Sequence, residues 1–491
     1  MISQGIIVFL GLFSRKVFLD YLGAELLGVN SLFTDVLLLF SFADLGFGTA
    51  IMFSMYKPIA DNDESKIRSL LVFYREIYNY VIGALIVISL LFIPFLYSVK
   101  TDIDIHELII YYAIFQVNNI VQYVWAYRES YVVASQNERA ITKLNLYFQV
   151  VTTLILMVSV VLFQNFYIYL LISVAMNIFK KFWVNAYIIK KYPITIITGV
   201  PNIDKQEKKG IIKKSIALLI TKIGNLLINQ TDSLVVSVMI NVTQWGLASN
   251  YLVIKRSIFA ITEKIYSGLL PSMGNLVASG DKEREFKVFL KYDFLNAWMH
   301  TFCFIGFVCL SSPFVALFFG EDVLLSNTFV FVFFLAALFD GLRSPVSVLR
   351  EASGSYEVDK WYTMVAAAVN LGTSLPLAYF FGLEGVFIGT ICAMSVLHIA
   401  RSIVLFRIND YNCTAGKYLY LVFSHILIAI ALLIPSYFTA EFLSGISDNI
   451  YISFIIRLLV IGIVPNVLWV LIYCRNQQLV SVKQMITNKL K

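Results

Sequence analysis

Apolar residues fill runs of roughly 20 positions along most of the chain, and short polar stretches separate these runs. A helix of this length is what a chain needs to cross the hydrocarbon core of a bilayer. We therefore predict an all-α integral membrane protein with about fourteen transmembrane helices. The predicted spans cover residues 2–22, 27–53, 76–97, 107–127, 144–163, 166–189, 215–240, 246–272, 292–318, 325–345, 361–381, 386–406, 418–437 and 450–473.

The positions of Lys and Arg provide an independent check on this count, because basic residues gather in the cytoplasmic loops of membrane proteins. Most of the 38 Lys and Arg residues lie in the loops after even-numbered spans or in the C-terminal tail, whereas the loops after odd-numbered spans contain only Lys100. Adding or removing one span in the middle of the chain would destroy this partition. The pattern predicts that both termini lie in the cytoplasm.

An internal repeat relates the two halves of the chain at an offset of 218 residues. Gly28 in "GVNS" aligns with Gly246 in "GLAS", and "SMYKPIADND" aligns with "SMGNLVASGD". The offset covers six spans, an even number, so the two halves are predicted to be parallel repeats. Projected backwards, the repeat also suggests that the first span lacks a turn or two at its start. We predict four regions: an N-terminal six-helix bundle at 1–190, a cytoplasmic linker at 191–214, a C-terminal six-helix bundle at 215–408, and two additional spans with a cytoplasmic tail at 409–491.

The seventh predicted span has one polar face, formed by Lys222, Asn225, Asn229 and Asp232 at helical spacing. Lys222 and Asp232 are separated by about 15 Å of helix rise, so they cannot pair directly with each other. A polar face on an otherwise apolar span indicates a water-filled cavity, in which the two amides could bind hydroxyl groups.

Other charged residues lie deep in the predicted spans, where each is costly unless it faces a cavity or a partner. Lys255 and Arg256 lie near the middle of the eighth span, and Glu263 follows Arg256 by about two helical turns. We predict that these residues line the same cavity, and a static ion-pair network between helices is the alternative. Asp340 and Arg343 would form a gate or a structural pair. The remaining candidates for substrate binding are Arg15 or Lys16, but not both, together with Asn30, Asp44 and Asn119.

The composition excludes most soluble classes, because 59% of the residues are hydrophobic and only 14% are charged. The net charge of +7 follows from the topology, so we expect no nucleic acid partner. The five Cys and four His residues show no paired or metal-ligand spacing, and the chain has no nucleotide-binding or hydrolase motif. We predict no enzymatic activity, no metal, no disulfide and no cofactor.

Two parallel six-helix halves, two further spans, a basic linker and the stretch "LGAELLGVNSLFTDVLLLFSFADLGFGTAI" together resemble the multidrug/oligosaccharidyl-lipid/polysaccharide (MOP) exporter superfamily. Within this superfamily, the chain looks most like the Wzx-type polysaccharide repeat-unit flippases of bacterial O-antigen, lipopolysaccharide and capsule assembly. The resemblance covers nearly the whole chain. It implies two six-helix bundles around a V-shaped central cavity that opens alternately to each side of the bacterial inner membrane.

The same resemblance implies a cargo, an oligosaccharide on undecaprenyl pyrophosphate, that moves from the cytoplasmic to the outer leaflet. It implies membrane lipids and the polysaccharide polymerase machinery as partners, and H⁺ or Na⁺ as candidate coupling ions. Arg15 and Arg256 match, by position, arginines on helices 1 and 8 of related lipid II flippases. Helix 2 departs from that pattern, because it has Asp44 and no cation.

Two other functions compete with this interpretation. A cation-coupled multidrug exporter would have the same fold, but such proteins favour intramembrane acids. Here five deep cations (Arg15, Lys16, Lys222, Lys255 and Arg256) outnumber three deep acids (Asp44, Asp232 and Glu263), which favours an anionic cargo. A polymerase acting on the same lipid would need a large outer loop, and the predicted outer loops are short.

Overall fold

A computed structural model of the chain describes residues 2–41, 47–197, 203–411, 413–474 and 479. Every long regular element in these ranges is an α-helix, which confirms the predicted all-α class. The helices are α1 (Ile2–Phe40), α2 (Phe47–Ala60), α3 (Glu64–Leu96), α4 (Ile105–Tyr123), α5 (Ala126–Ala134), α6 (Glu138–Phe163), α7 (Phe166–Lys191), α8 (Lys205–Met239), α9 (Val242–Ala278), α10 (Lys282–Phe319), α11 (Asn327–Leu342), α12 (Ser344–Ala352), α13 (Tyr356–Asn409), α14 (Ala415–Ser444) and α15 (Ile450–Ile472).

Several helices begin at a short polar residue whose side chain accepts a hydrogen bond from a free backbone N–H of the first turn. Asp63 accepts from Lys66 N before α3, Asp104 from His106 N before α4, and Asp281 from Arg284 N before α10. In the sequence, these residues mark where a polar loop changes to an apolar run. They therefore define the starts of spans that hydrophobicity alone leaves uncertain by several residues.

Nine helices in the described ranges are long and apolar enough to cross a membrane. α13 contains two predicted spans, and α1 contains the first predicted span with part of the second; the divisions lie where Gly382 (φ 60°) and Gly23 (φ 84°) break these helices. Several helices extend beyond the predicted spans: α3 begins at Glu64 rather than at residue 76, α8 at Lys205 rather than at 215, and α10 at Lys282 rather than at 292. In contrast, α1 ends at Phe40, within the predicted span 27–53. The total of fourteen spans stays a prediction.

The chain divides into two compact units, residues 1–246 and 247–491. In the first unit, α1 packs against α6 and α8, and a small core of Val132, Ile141, Val184 and Ile188 joins α5, α6 and α7. In the second unit, α10 is central and packs against α11, α14 and α15, while α13 packs against α11 and α14. The finer division into four regions stays a prediction.

Lys100, the one basic residue of the predicted outer loops, has a structural partner within the first unit. Its Nζ donates to Met239 O at 2.6 Å, and its backbone bonds to Ser237 O and to the N–H of Val242. A cation at the carbonyl end of a helix is favourable, because this end carries partial negative charge. Lys100 therefore closes the C-terminus of α8.

Two glycines that the internal repeat aligns, Gly28 and Gly246, meet in the first unit. A Cβ at Gly28 would collide with the carbonyl of Val242, and a Cβ at Gly246 would collide with the carbonyl of Ala24. The two contacts are equivalent in the repeat, because Ala24 and Val242 are also 218 residues apart. Gly28 and Gly246 thus allow two equivalent helix segments to touch through their backbones.

We expect Gly28→Ala to destabilise the protein by about 1–3 kcal/mol, because the added methyl group overpacks a backbone contact. The matched control is Gly83→Ala in α3, where a Cβ would meet nothing within 4 Å. There, the change should be neutral or stabilising by up to about 1 kcal/mol, the difference in helix propensity. Thermal unfolding of both variants in detergent tests this, and an unchanged midpoint for Gly28→Ala would contradict the tight contact.

Candidate substrate-binding residues

The neighbouring cations of α1 have different partners. Arg15 Nη2 donates to the backbone oxygen of Gly246 at 3.4 Å, while Lys16 Nζ lies 3.3 Å from the Asp20 carboxylate one turn further on. Both members of the Lys16–Asp20 pair are well exposed, so this ion pair contributes little to stability. The structure therefore places the two cations on different sides of the helix.

Further along α1, the structure identifies an acid that the sequence analysis did not single out. Asp35 is only 3% exposed, although it lies within an apolar run. Like Asp232, it is recognisable in the sequence as an acid at depth in a predicted span. Asn30 is half-buried, and its backbone oxygen accepts a hydrogen bond from Thr34. Asp44 lies outside the described residues.

The amides of α4 are buried against the neighbouring helix α3. Gln116 accepts a hydrogen bond from the Ser89 hydroxyl at 2.8 Å, and Tyr112 donates to the Ser89 carbonyl at 3.2 Å. These contacts hold α3 and α4 together, as amides often do between membrane helices. Asn119, one turn beyond Gln116, is 4% exposed, and its Nδ2 has no hydrogen-bond partner among the described residues.

The polar face of the seventh predicted span lies on α8. The backbones of Lys222, Asn225 and Asn229 belong to this helix, and their side chains lie outside the described part of the chain. Asp232, the last member of the face, is 8% exposed. The helix geometry therefore preserves the predicted spacing, and the role of the face stays a prediction.

Two adjacent cations of α9 have different environments. Lys255 is half-buried, and its ammonium lies 5.6 Å from the centre of the Phe259 ring and 5.8 Å from that of Phe333. No carboxylate of the described residues lies within the 4.0 Å of an ion pair with Lys255. Arg256 and Glu263 are exposed on the surface of the same helix.

The second unit also buries Arg401, a cation that is not among the residues singled out from the sequence. Arg401, 3% exposed, donates to Thr363 at 3.2 Å and to Ser347 at 3.5 Å, so it joins α13 to α12 as well as to the first half of α13. Arg343 pairs with Asp340 at 2.5 Å, which gives this predicted pair a direct contact. The signal for Arg401 was present in the sequence, because the residue lies inside a predicted apolar span.

Comparisons with known proteins give the fold and leave the cargo open. No protein-family model and no curated protein matches the chain. Among solved structures, the lipid II flippase MurJ in an inward closed conformation matches with a TM-score of 0.67 and 16% identity, over 96% of this chain and 98% of that one. A multidrug resistance MATE family transporter of the MOP superfamily, in an inward-facing conformation, matches with a TM-score of 0.63 and 14% identity, over 83% and 97%.

The chain is thus a multi-pass membrane protein, and its structural neighbours are transporters rather than enzymes. More specifically, it has the fold of the MOP-superfamily transporters. At these identities the similarity extends to the fold alone.

Proposed function

We propose that this protein is a lipid-linked oligosaccharide flippase of the Wzx type, which moves undecaprenyl-pyrophosphate-linked repeat units from the cytoplasmic to the outer leaflet by alternating access. The repeat units would serve the synthesis of O-antigen, lipopolysaccharide or capsule. In this proposal, the protein lies in the bacterial inner membrane with both termini in the cytoplasm. The polymerase machinery would receive its product.

The observation that carries this proposal is the environment of Lys255. Its ammonium lies 5.6 Å and 5.8 Å from the centres of two aromatic rings, and no carboxylate of the described residues lies within ion-pair distance of it. Asp340, which interacts with it electrostatically at longer range, already pairs with Arg343. A cation held by cation–π contacts keeps its charge available to an anion. A pyrophosphate crossing a bilayer needs such groups, because they replace its hydration shell.

Two further features support an anionic, sugar-bearing cargo. Arg256 lies exposed beside Lys255, and a guanidinium can bind phosphate oxygens with two hydrogen bonds. The amide of Asn119 is buried in the first unit with an unused donor among the described residues, and amides bind sugar hydroxyls. The fold is also shared over nearly its full length with a lipid II flippase, and lipid II is itself a lipid-linked substrate.

Deleting the gene tests the proposal directly. We expect lipid-linked oligosaccharide to accumulate in the cytoplasmic leaflet and surface polysaccharide to disappear, because the pyrophosphate head cannot cross hydrocarbon unaided. Extraction of the lipid and probing of intact, inside-out and right-side-out vesicles with a lectin would locate it. Complementation with the wild-type gene is the control. Normal surface polysaccharide in the deletion strain would refute the proposed function.

The second candidate, a cation-coupled multidrug exporter, is favoured by one observation. Asp35 and Asp232 are buried acids on apolar helices, the type of residue that binds H⁺, Na⁺ or cationic drugs. The matched test is the drug susceptibility of the same deletion strain. Increased sensitivity to cationic drugs with unchanged surface polysaccharide would favour the exporter.

A further inference from the structure

A polar cluster lies buried in the second unit where α10, α14 and α15 meet. Its centre is Asp293 of α10, which is 3% exposed. The Tyr418 hydroxyl of α14 donates to Asp293 Oδ1 at 2.9 Å, and His425 Nδ1, also on α14, lies 3.9 Å from Oδ2. Neither Asp293 Oδ2 nor His425 Nε2 has a hydrogen-bond partner among the described residues. The ring of Trp469 on α15 and that of Tyr473, the next residue after α15, have their centres 6.2 Å and 6.1 Å from that of the His425 ring.

The charge of this cluster is not balanced by a permanent cation. No Lys or Arg nitrogen of the described residues lies within 4.0 Å of the Asp293 carboxylate, and the only basic group at that distance is His425. With Asp293 ionised and His425 neutral, the cluster would contain an uncompensated buried negative charge, which costs several kcal/mol. One proton removes this cost, either on the carboxyl group or on the imidazole.

A second buried carboxylate on α10, that of Glu285, is neutralised by a lysine instead of a proton. Glu285 lies two helical turns before Asp293 and is 0% exposed, but it accepts hydrogen bonds from Lys282 Nζ at 2.9 Å and from the Tyr411 hydroxyl. Burial and the neighbouring Glu285 raise the pKa of Tyr411, so this phenol remains a donor. Because Lys282 is a permanent cation, Glu285 needs no proton. It therefore serves as the matched control for Asp293.

Access to Asp293 from the Glu285 side is closed by aromatic rings. Phe289 lies between the two acids on the same face of α10, and its ring centre is 5.3 Å from that of Tyr418 and 5.9 Å from that of Phe406. Tyr418, which is also the hydrogen-bond donor to Asp293, comes from α14. Because Tyr418 contacts both Asp293 and Phe289, movement of α14 away from α10 would open this side of Asp293.

We propose that Asp293 and His425 form a binding site for one proton, whose uptake and release are linked to the seating of α14 on α10. The proton comes from water and forms one O–H bond on Asp293 or one N–H bond on His425, and no other bond changes. The other titratable groups around the pair are Tyr292 on α10, Tyr418 on α14 and Tyr473 directly after α15, and His398 on α13 lies against the Tyr418 ring. The site goes beyond the proposed function and does not depend on the identity of the cargo.

Infrared difference spectroscopy on the full-length protein in lipid vesicles tests the site, titrated from about pH 5 to about pH 9, where imidazoles and buried carboxyl groups exchange protons. We expect a carboxylic acid or imidazolium band that titrates as one proton in the wild type and in Glu285→Gln. The band should be lost in Asp293→Asn. Identical titrations of the wild type and Asp293→Asn would overturn the proposal. No cargo is present, so the result is independent of the flippase proposal.

Tyr418→Phe provides a second measurement if Asp293→Asn does not fold. Removing the one hydrogen bond that the described residues donate to the carboxylate makes its charged form less favourable, so the midpoint of the titration should move to higher pH by about one unit. An unchanged midpoint in Tyr418→Phe would also overturn the proposal, since it would mean that the titrating group is not the Asp293–His425 pair.

Discussion

Arg256→Ala is expected to abolish polysaccharide export while the protein remains inserted and abundant. Removing a cation that binds a desolvated phosphate leaves the phosphate charge uncompensated, and such losses amount to about 3–5 kcal/mol, which corresponds to roughly 150- to 5,000-fold in rate. Arg256→Lys should retain part of the export activity, because an ammonium keeps the positive charge but cannot form the bidentate hydrogen bonds of a guanidinium. Surface polysaccharide, normalised to protein abundance in the membrane, is the measurement.

The control for this series is Lys287→Ala, which removes an exposed cation paired with Glu283 one turn away. Exposed pairs of this kind contribute little, so export should be unchanged. Lys222→Ala has the same expected result as Arg256→Ala. Wild-type polysaccharide levels in Arg256→Ala would remove this residue from the binding site and, with it, part of the basis for an anionic cargo.

Lys181→Met is expected to destabilise the protein by about 3 kcal/mol, because removing one partner of a buried ion pair leaves the other charge uncompensated. Lys181 is 8% exposed, and its Nζ lies 2.6 Å from the Glu129 carboxylate, so this contact joins α7 to α5. The substitution keeps most of the side-chain volume and leaves Glu129 as a charge without its cation. Thermal unfolding of the purified protein measures the effect.

A double variant, Lys181→Met with Glu129→Gln, separates the ion pair from other effects. It removes both charges, so it should recover most of the stability that Lys181→Met loses. If the loss of stability in the double variant equals the sum of the losses in Lys181→Met and in Glu129→Gln, then Lys181 and Glu129 do not stabilise each other. Together with the Arg256 series, this cycle distinguishes cations that hold the fold from cations that serve a cargo.

The fold class followed from the sequence because its physical basis is local. Only helices and closed barrels can span a bilayer, so runs of about 20 apolar residues predict transmembrane helices. The breaks inside α1 and α13 fell at Gly23 and Gly382, close to the predicted loops. Boundaries were less certain, as the early start of α8 at Lys205 shows, since a helix can extend beyond the apolar run into charged residues.

The candidate site was only partly accessible to sequence reasoning. An ionisable residue at depth can be recognised from its position, and Lys255, Arg256 and Asp232 were recognised in this way. Its partner cannot be recognised, because partners come from helices distant in sequence: Lys181 pairs with Glu129 over 52 residues, and Tyr418 bonds to Asp293 over 125. Spacing along one helix carries no information about such contacts.

By itself, the sequence determined that this chain is an all-α membrane protein and which of its residues share one helix face, while the repeat of its two halves stays a prediction. Those properties depend on apolar run length and on a fixed helical period. Only the tertiary structure decided which cations have a direct ion-pair partner among the described residues, as Lys181 has in Glu129, and which lie against aromatic rings instead, as Lys255 does. The reason is that ion pairing requires atoms within a few ångströms, and helix packing alone sets those distances.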